Sequence, residues 1–215
     1  MISSILATIM TFFHNTLGVG WGTAIIFLTL VVKIVLFPFT LSQIKSAEGM
    51  KKIQPEIQKI QAKYKNNPEE QQRKMMELYQ KNKVNPLGGC LPLLLQLPVL
   101  WALFGLLNSP EKYNIDFSNA VFLTMDLTKS HSYWLLAVIS GLTSFIQQKM
   151  TTVSMADSSQ STFLYIMPVF MGWITYTLKA GVGLYWVAST VIGIVQQWII
   201  TRFFLKEEME ETKLK

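Results

Sequence analysis

The stretch GTAIIFLTLVVKIVLFPFTL, residues 22–41, holds a single charge, Lys33. A helix needs about 20 mostly apolar residues to cross a bilayer, and this stretch has that length and composition. Residues 1–32 contain no Asp, Glu, Lys or Arg, and 34–44 are again uncharged. Further uncharged runs cover 84–110, 130–148, 158–178 and 180–201. Five helical spans fit these gaps, at 22–41, 88–107, 132–149, 162–179 and 181–203. Lipid offers no water to free backbone groups, and the runs lack the alternation of barrel strands, so helices are the form they take. The predicted fold class is therefore an all-α polytopic membrane protein with five transmembrane helices. A soluble all-α core has no need of five near-spanning runs in 215 residues.

Composition alone is less decisive. Hydrophobic residues make up 50% of the chain, an ordinary value, but charged residues make up only 15% against a usual figure of about 25%. So little charge argues against disorder and against a DNA-binding domain covered in Lys and Arg. The lone Cys90 excludes an intrachain disulfide and any multi-cysteine metal site. Residues 1–21 precede the first span and carry neither a basic n-region nor an A-x-A site, so they make a poor signal peptide. Their first fifteen residues, MISSILATIMTFFHN, are too short to span and are expected to lie in the extracytoplasmic interface as a short helix.

Lys and Arg set the orientation. With the N-terminus outside, the cytoplasmic segments 42–85 and 150–161 and the tail 204–215, with the helix ends that flank them, hold 15 Lys and Arg. The extracytoplasmic side, with the 108–131 loop and the turn near 180, holds Lys112, Lys129 and Lys179. That asymmetry predicts N-out, C-in. Residues 42–85 form the one long hydrophilic segment. Ile53, Ile57, Ile60 and Tyr64 recur at helical spacing, and Asn67-Pro68-Glu69-Glu70 reads as an N-cap, a first-turn proline and acidic residues at the positive helix end. Met75, Met76, Leu78 and Tyr79 supply the second helix with apolar contacts. The segment is expected to be a two-helix cytoplasmic hairpin. It is either a solvated loop carrying topology signals or a docking surface for anionic headgroups, ribosomal RNA or an acidic client segment.

Polar residues inside the spans are the candidate functional groups. Lys33 lies near the middle of the first span, where a charge costs about 2.5–3.5 kcal/mol on insertion scales. Snorkelling to the cytoplasmic headgroups is one account of it, and a hydrated intramembrane cavity is the other. Thr29 sits one turn before Lys33 on the same face. Gln96 lies in the second span, Gln147 and Gln148 near the cytoplasmic end of the third, and Gln196 and Gln197 in the fifth. Each amide favours water or a neighbouring helix over lipid. Tyr185 and Trp186 open the fifth span, where interfacial aromatics are common. Pro86 can start the second helix, Pro92 and Pro98 remove backbone donors and loosen it, and Gly88, Gly89 and Cys90 allow close packing at its start.

Catalytic chemistry finds no support. The chain has no H-E-x-x-H, Walker A, G-x-G-x-x-G or G-x-S-x-G motif. Its two histidines, His14 and His131, fall outside the predicted spans or at their outer edge, so Ser140 and Ser144 have no intramembrane base. No acidic residue inside a span is available to relay protons, and the two halves show no inverted repeat. The protein is not expected to be an enzyme, and no cofactor or metal is expected.

Several runs carry a resemblance. GTAIIFLTLVVKIVLFPF (22–39), KKIQPEIQKIQAKY (51–64), NPLGGCLPLLLQLPVLWALF (85–104), FIQQKM (145–150) and GLYWVASTVIGIVQQWII (183–200) resemble, in order and over nearly the whole chain, the YidC family of membrane protein insertases. The resemblance implies a five-helix core in the bacterial plasma membrane. It implies a hydrophilic groove open to cytoplasm and lipid but closed toward the outside. Hydrophobic client segments would be received there and released into the bilayer. The implied partners are nascent membrane proteins with acidic or short hydrophilic N-tails, the lipid bilayer, the ribosome and the Sec translocon. The family's groove cation falls at Lys33, where the usual residue is Arg. Other groove positions fall at or near Gln147, Tyr185 and Trp186, with Gln96 in the matching second-span motif and Thr29 beside Lys33. The large extracytoplasmic domain of some members is missing here. The tail EEMEETKLK is short and mixed in sign, which argues against tail-driven ribosome docking. The rival reading is a small channel or transporter with Lys33 as an intramembrane anion site.

Overall fold

The computed structural model describes residues 2–85, 91–117, 119–131, 133–151 and 158–204. Eight α-helices account for most of them. In chain order they are α1 (Ile2–Leu17), α2 (Trp21–Val35), α3 (Phe37–Lys63), α4 (Pro68–Lys81), α5 (Leu91–Asn108), α6 (Trp134–Thr151), α7 (Ser158–Thr177) and α8 (Ala180–Ile199). A π-helical turn, Ile200–Phe204, extends α8. A two-stranded antiparallel ribbon pairs Val121–Phe122 with Met125–Asp126. The five runs read as spans fall on α2 with the start of α3, α5, α6, α7 and α8. By length and composition, one described helix, Ala180–Phe203, could cross a membrane alone, and the bent pair α2–α3 could supply a second crossing. Pro86, Gly88, Gly89 and Cys90 lie outside the described residues, as do 152–157 of the 150–161 loop and 205–215 of the tail.

The first run is not one straight helix. α2 ends at Val35, and α3 leaves it at 65°. Pro38, in the first turn of α3, has no N–H to bond the Ile34 carbonyl, and its ring crowds that carbonyl. The stretch 22–41 is thus bent where α2 passes into α3. α3 then runs unbroken for 27 residues through Pro55 into the hydrophilic segment.

α3 and α4 form the hairpin around their own apolar cluster of Met50, Ile53, Ile57, Leu78 and Tyr79, with Ile60, Met75 and Val84 at its edge. Met76, read as an apolar contact, is instead exposed. Asn67 caps α4, its side-chain oxygen accepting from the Glu70 amide at 3.2 Å, and Pro68 takes the first helical position. Burial pushes the Tyr79 phenol above its ordinary pKa.

The main core is separate. It joins α1, α2, α5 and α8 to the 109–133 loop through Met10, Ile25, Leu28, Leu103, Leu106 and Leu127 among others. Beside it, α6 and α7 approach closely because two glycines meet backbone. A Cβ at Gly172 would stand 3.0 Å from the Ala137 carbonyl oxygen, and one at Gly141 3.2 Å from that of Pro168. A buried hydroxyl pair, Ser140 with Thr175 at 2.7 Å, joins the same two helices.

Backbone bonds close the end of the bundle that carries the 109–133 loop. The amides of Ala180 and Gly181 donate to Lys129 and Leu127, and that of His131 donates to Tyr176. Lys179 Nζ donates to the Leu107 carbonyl at 2.9 Å, placing a cation on the C-terminal turn of α5. Thr128 donates through both hydroxyl and amide to Asp126. Those bonds, with Lys129 nearby, hold the Asp126 carboxyl below the usual carboxylate range.

Two outcomes are expected in detergent. Asn67→Ala costs the hairpin about 1 kcal/mol, the usual worth of an N-cap, read as faster amide exchange in the first turn of α4, while Asn67→Asp keeps the protection. A depressed carboxyl stabilises the fold above its unfolded pKa and loses that contribution as pH falls through its folded pKa. Thermal unfolding of wild type and Asp126→Asn therefore differs at neutral pH and converges in acid.

Candidate functional site

α2, α6 and α8 converge at the hairpin end of the bundle. Lys33 lies in the last turn of α2, Gln147 in the last two turns of α6, and Gly193 and Gln196 one turn apart on α8. A Cβ on Gly193 would stand 2.6 Å from Gln147 Nε2 and 3.6 Å from Lys33 Nζ. The amide and the ammonium thus reach one point, and only a glycine leaves it open. Gln196 Nε2 donates to the Lys33 carbonyl at 3.4 Å. Gln196 Oε1 is buried with no hydrogen-bond partner among the described residues.

Lys33 has no carboxylate partner among the described residues. Among the described residues, ion pairs sit within the hairpin, as in Glu48–Lys51 and Glu77–Lys74, and at Asp126–Lys129. The residue is partly exposed. Thr29, one turn earlier, is fully buried, and its hydroxyl donates to the Ile25 carbonyl at 2.7 Å. It lines the wall beneath Lys33, with its proton held by its own helix.

A second polar tier lies deeper. Gln96 on α5 donates to the Tyr185 hydroxyl on α8. Tyr185 is fully buried in the main core, which corrects the interfacial-aromatic reading of this residue. Its neighbour Trp186 has a buried indole Nε1 with no partner among the described residues. Trp186 and Gln96 border an apolar cavity of about 170 Å³ between α5, α7 and α8, with Leu97, Leu100, Met171 and Ile174. Eight residues separate Tyr185 from Gly193, about 12 Å along a helix. The structure therefore divides the six candidate residues. Lys33 and Gln147 meet near Gly193, Gln96 joins Tyr185 and Trp186 in the deeper tier, and Thr29 lies in the wall.

Sequence reasoning missed Gly193. Its signal was the three-residue spacing to Gln196, which puts both on one side of α8.

The family model described as 60Kd inner membrane protein matches residues 12–208. A membrane protein insertase YidC from Fusobacterium nucleatum is 42% identical over 205 residues, covering 94% of this chain and 97% of that protein. The chain belongs to the YidC family of membrane protein insertases. YidC of Caldanaerobacter subterraneus is 40% identical, with 94% of each chain covered. YidC of Geobacter sulfurreducens is 40% identical over 94% of this chain, which matches 37% of that longer protein. A crystal structure of an active YidC insertase superposes with a TM-score of 0.72 at 30% identity, covering 93% of this chain and 46% of that one. The protein is thus an integral inner-membrane insertase of the bacterial YidC family rather than an enzyme, and its clients are nascent membrane proteins. The channel reading is not favoured.

The clearance over Gly193 makes a graded prediction for this insertase. The nearest atom to a new Cβ is the end of a flexible amide, so Gly193→Ala folds normally and displaces Gln147. Gly193→Leu fills the gap before Lys33. In a Cys90→Ser background, labelling of Lys33→Cys by a water-soluble maleimide should be slowed mildly by Gly193→Ala and strongly by Gly193→Leu.

Proposed function

We propose that the cluster of Lys33, Gln147, Gly193 and Gln196 is the floor of a hydrophilic groove that receives the short polar segment of a client from the cytoplasm. The observation that carries this reading is the Lys33 ammonium, without a carboxylate among the described residues, facing the Gln147 amide across a position with no side chain. A lone charge in an apolar helix is stable only where water or a polar partner reaches it. Here the partners are amides, which lower the desolvation cost without neutralising the charge. An acidic residue of the client is attracted to Lys33, and the client's hydrophobic segment then leaves for lipid, where burial of apolar surface drives the step. No covalent chemistry takes part.

The five runs are read as five spans, with α2 and the start of α3 forming a bent first span. The N-terminus is outside and the C-terminus cytoplasmic, as the Lys and Arg distribution requires. The hairpin then lies in the cytoplasm. Its ten Lys and Arg give a ribosome, anionic headgroups or the Sec machinery a surface to meet. The 109–133 loop forms the outer cap. The backbone bonds at that end favour a groove with one mouth over a through-pore.

The test is insertion of a single-span client with an acidic N-tail into liposomes carrying the purified protein. Lys33→Arg keeps activity, because the charge remains. Lys33→Glu lowers it about tenfold or more, since like charges facing each other cost several kcal/mol. Normal insertion by both Lys33→Ala and Lys33→Glu would sink the charge-capture role. Ion or solute flux through the same liposomes would instead favour a pore.

A further inference from the structure

Lys51 forms a joint that no groove residue explains. Its ammonium donates to the Met150 carbonyl at 2.7 Å, across 99 residues of chain, and to Glu48 Oε1 at 2.6 Å on its own helix. Met150 lies in the last turn of α6, where backbone carbonyls have no partner within the helix and carry partial negative charge. A cation there satisfies one orphan acceptor and complements the helix end. Glu48, one turn before Lys51, fixes the direction of the lysine.

Placement gives the joint its consequence. Gln147 stands three residues before Met150, on the same side of α6. α3 starts from the bend after Val35, just beyond Lys33, and Lys51 lies about 21 Å along it. A ring of contacts results. Lys33 connects through the bend to α3, α3 to the end of α6 through Lys51, α6 to α8 where Gln147 meets Gly193, and α8 back to α2 through Gln196 and the Lys33 carbonyl. The hairpin has its own apolar cluster, so burial in the main core does not set where it stands over α6.

We propose that Lys51 is a positioning residue that clips the cytoplasmic hairpin to the C-terminus of α6 and so holds Gln147 opposite Lys33 at the groove mouth. The proposal rests on the groove reading above and adds a second determinant of insertion outside the groove. It also gives the hairpin a mechanical part. With the clip made, α3 braces the mouth; with it broken, α3 and the end of α6 separate.

The experiment uses the full-length protein in liposomes, with Cys90→Ser and spin labels at Lys52→Cys and Lys149→Cys, both exposed positions. The parent gives a narrow distance distribution. Lys51→Met lengthens and broadens it and lowers insertion of the acidic-tailed client by about tenfold, the population shift expected from losing a hydrogen bond to a charged group. Lys51→Arg, which can still donate to the carbonyl, restores both. An unchanged distribution in Lys51→Met overturns the clip, and a changed distribution with unchanged insertion overturns its positioning role. Lys33→Glu is the separating arm: it blocks insertion with the label distance unaltered, so normal insertion by that variant would count against the groove and not the clip.

Discussion

A cation placed inside an apolar helix, with no carboxylate to pair it, must find water. Lys33 sets that constraint, and the surrounding structure answers it at one end of the bundle only. At the hairpin end, Gly193 withholds a side chain, Gln147 and Gln196 bring amides, and the polypeptide turns by 65° just past the lysine. A straight helix through Pro38 would have carried α3 along the bundle axis. The bend carries it away, and on the proposed reading the space beneath it is the groove mouth.

Apolar packing is distributed to match. The main core gathers at the other end, where α1, α2, α5 and α8 close on the 109–133 loop. The hairpin keeps a second cluster for itself. Between the two lies the tier of polar side chains, each of which would be costly in a dry interior. Small residues let α6 and α7 pack backbone to backbone at Gly141 and Gly172, which sets α6 firmly against α7.

Much of this was legible in the sequence, because charge gaps and helical spacing report local chemistry. The described parts of the runs at 22–41, 88–107, 132–149, 162–179 and 181–203 are mostly helical, the first as two helices, and Asn67 became an N-cap because its side chain could reach the Glu70 amide. Lys33 and Gln147 stood out as polar groups in apolar surroundings. What stayed hidden depends on relations between distant segments. Pro38 was visible, but whether it would bend a span or merely begin a helix depends on what α3 packs against. Tyr185 looked interfacial from its place at a span's start, whereas its burial is decided by α5 and the loop cap. Gly193 carries no chemistry of its own. Its meaning comes from Lys33 and Gln147, 160 and 46 positions away, and the spacing to Gln196 places it on the polar side of α8 without saying what it faces.

The choice of amides beside the cation follows from what the site must do. A Glu at 147 would pair with Lys33 and hold it, as buried opposite charges do once water is excluded. The attraction available to a client would then fall by most of its strength. A leucine there would take one of the two amides away from Lys33 and make its surroundings more apolar. Glutamine avoids both results. Its dipole can turn an oxygen toward the ammonium or an N–H toward an arriving carboxylate, and it adds no net charge. The same logic bears on Lys33 being a lysine rather than an arginine. An arginine presents a planar fork and keeps its charge almost anywhere, whereas a lysine is a compact, strongly hydrated point charge that needs its water. On the groove reading proposed above, a lysine makes the site a wetter one by requirement, and the open position at Gly193 between Lys33 and Gln147 is where water and client would compete.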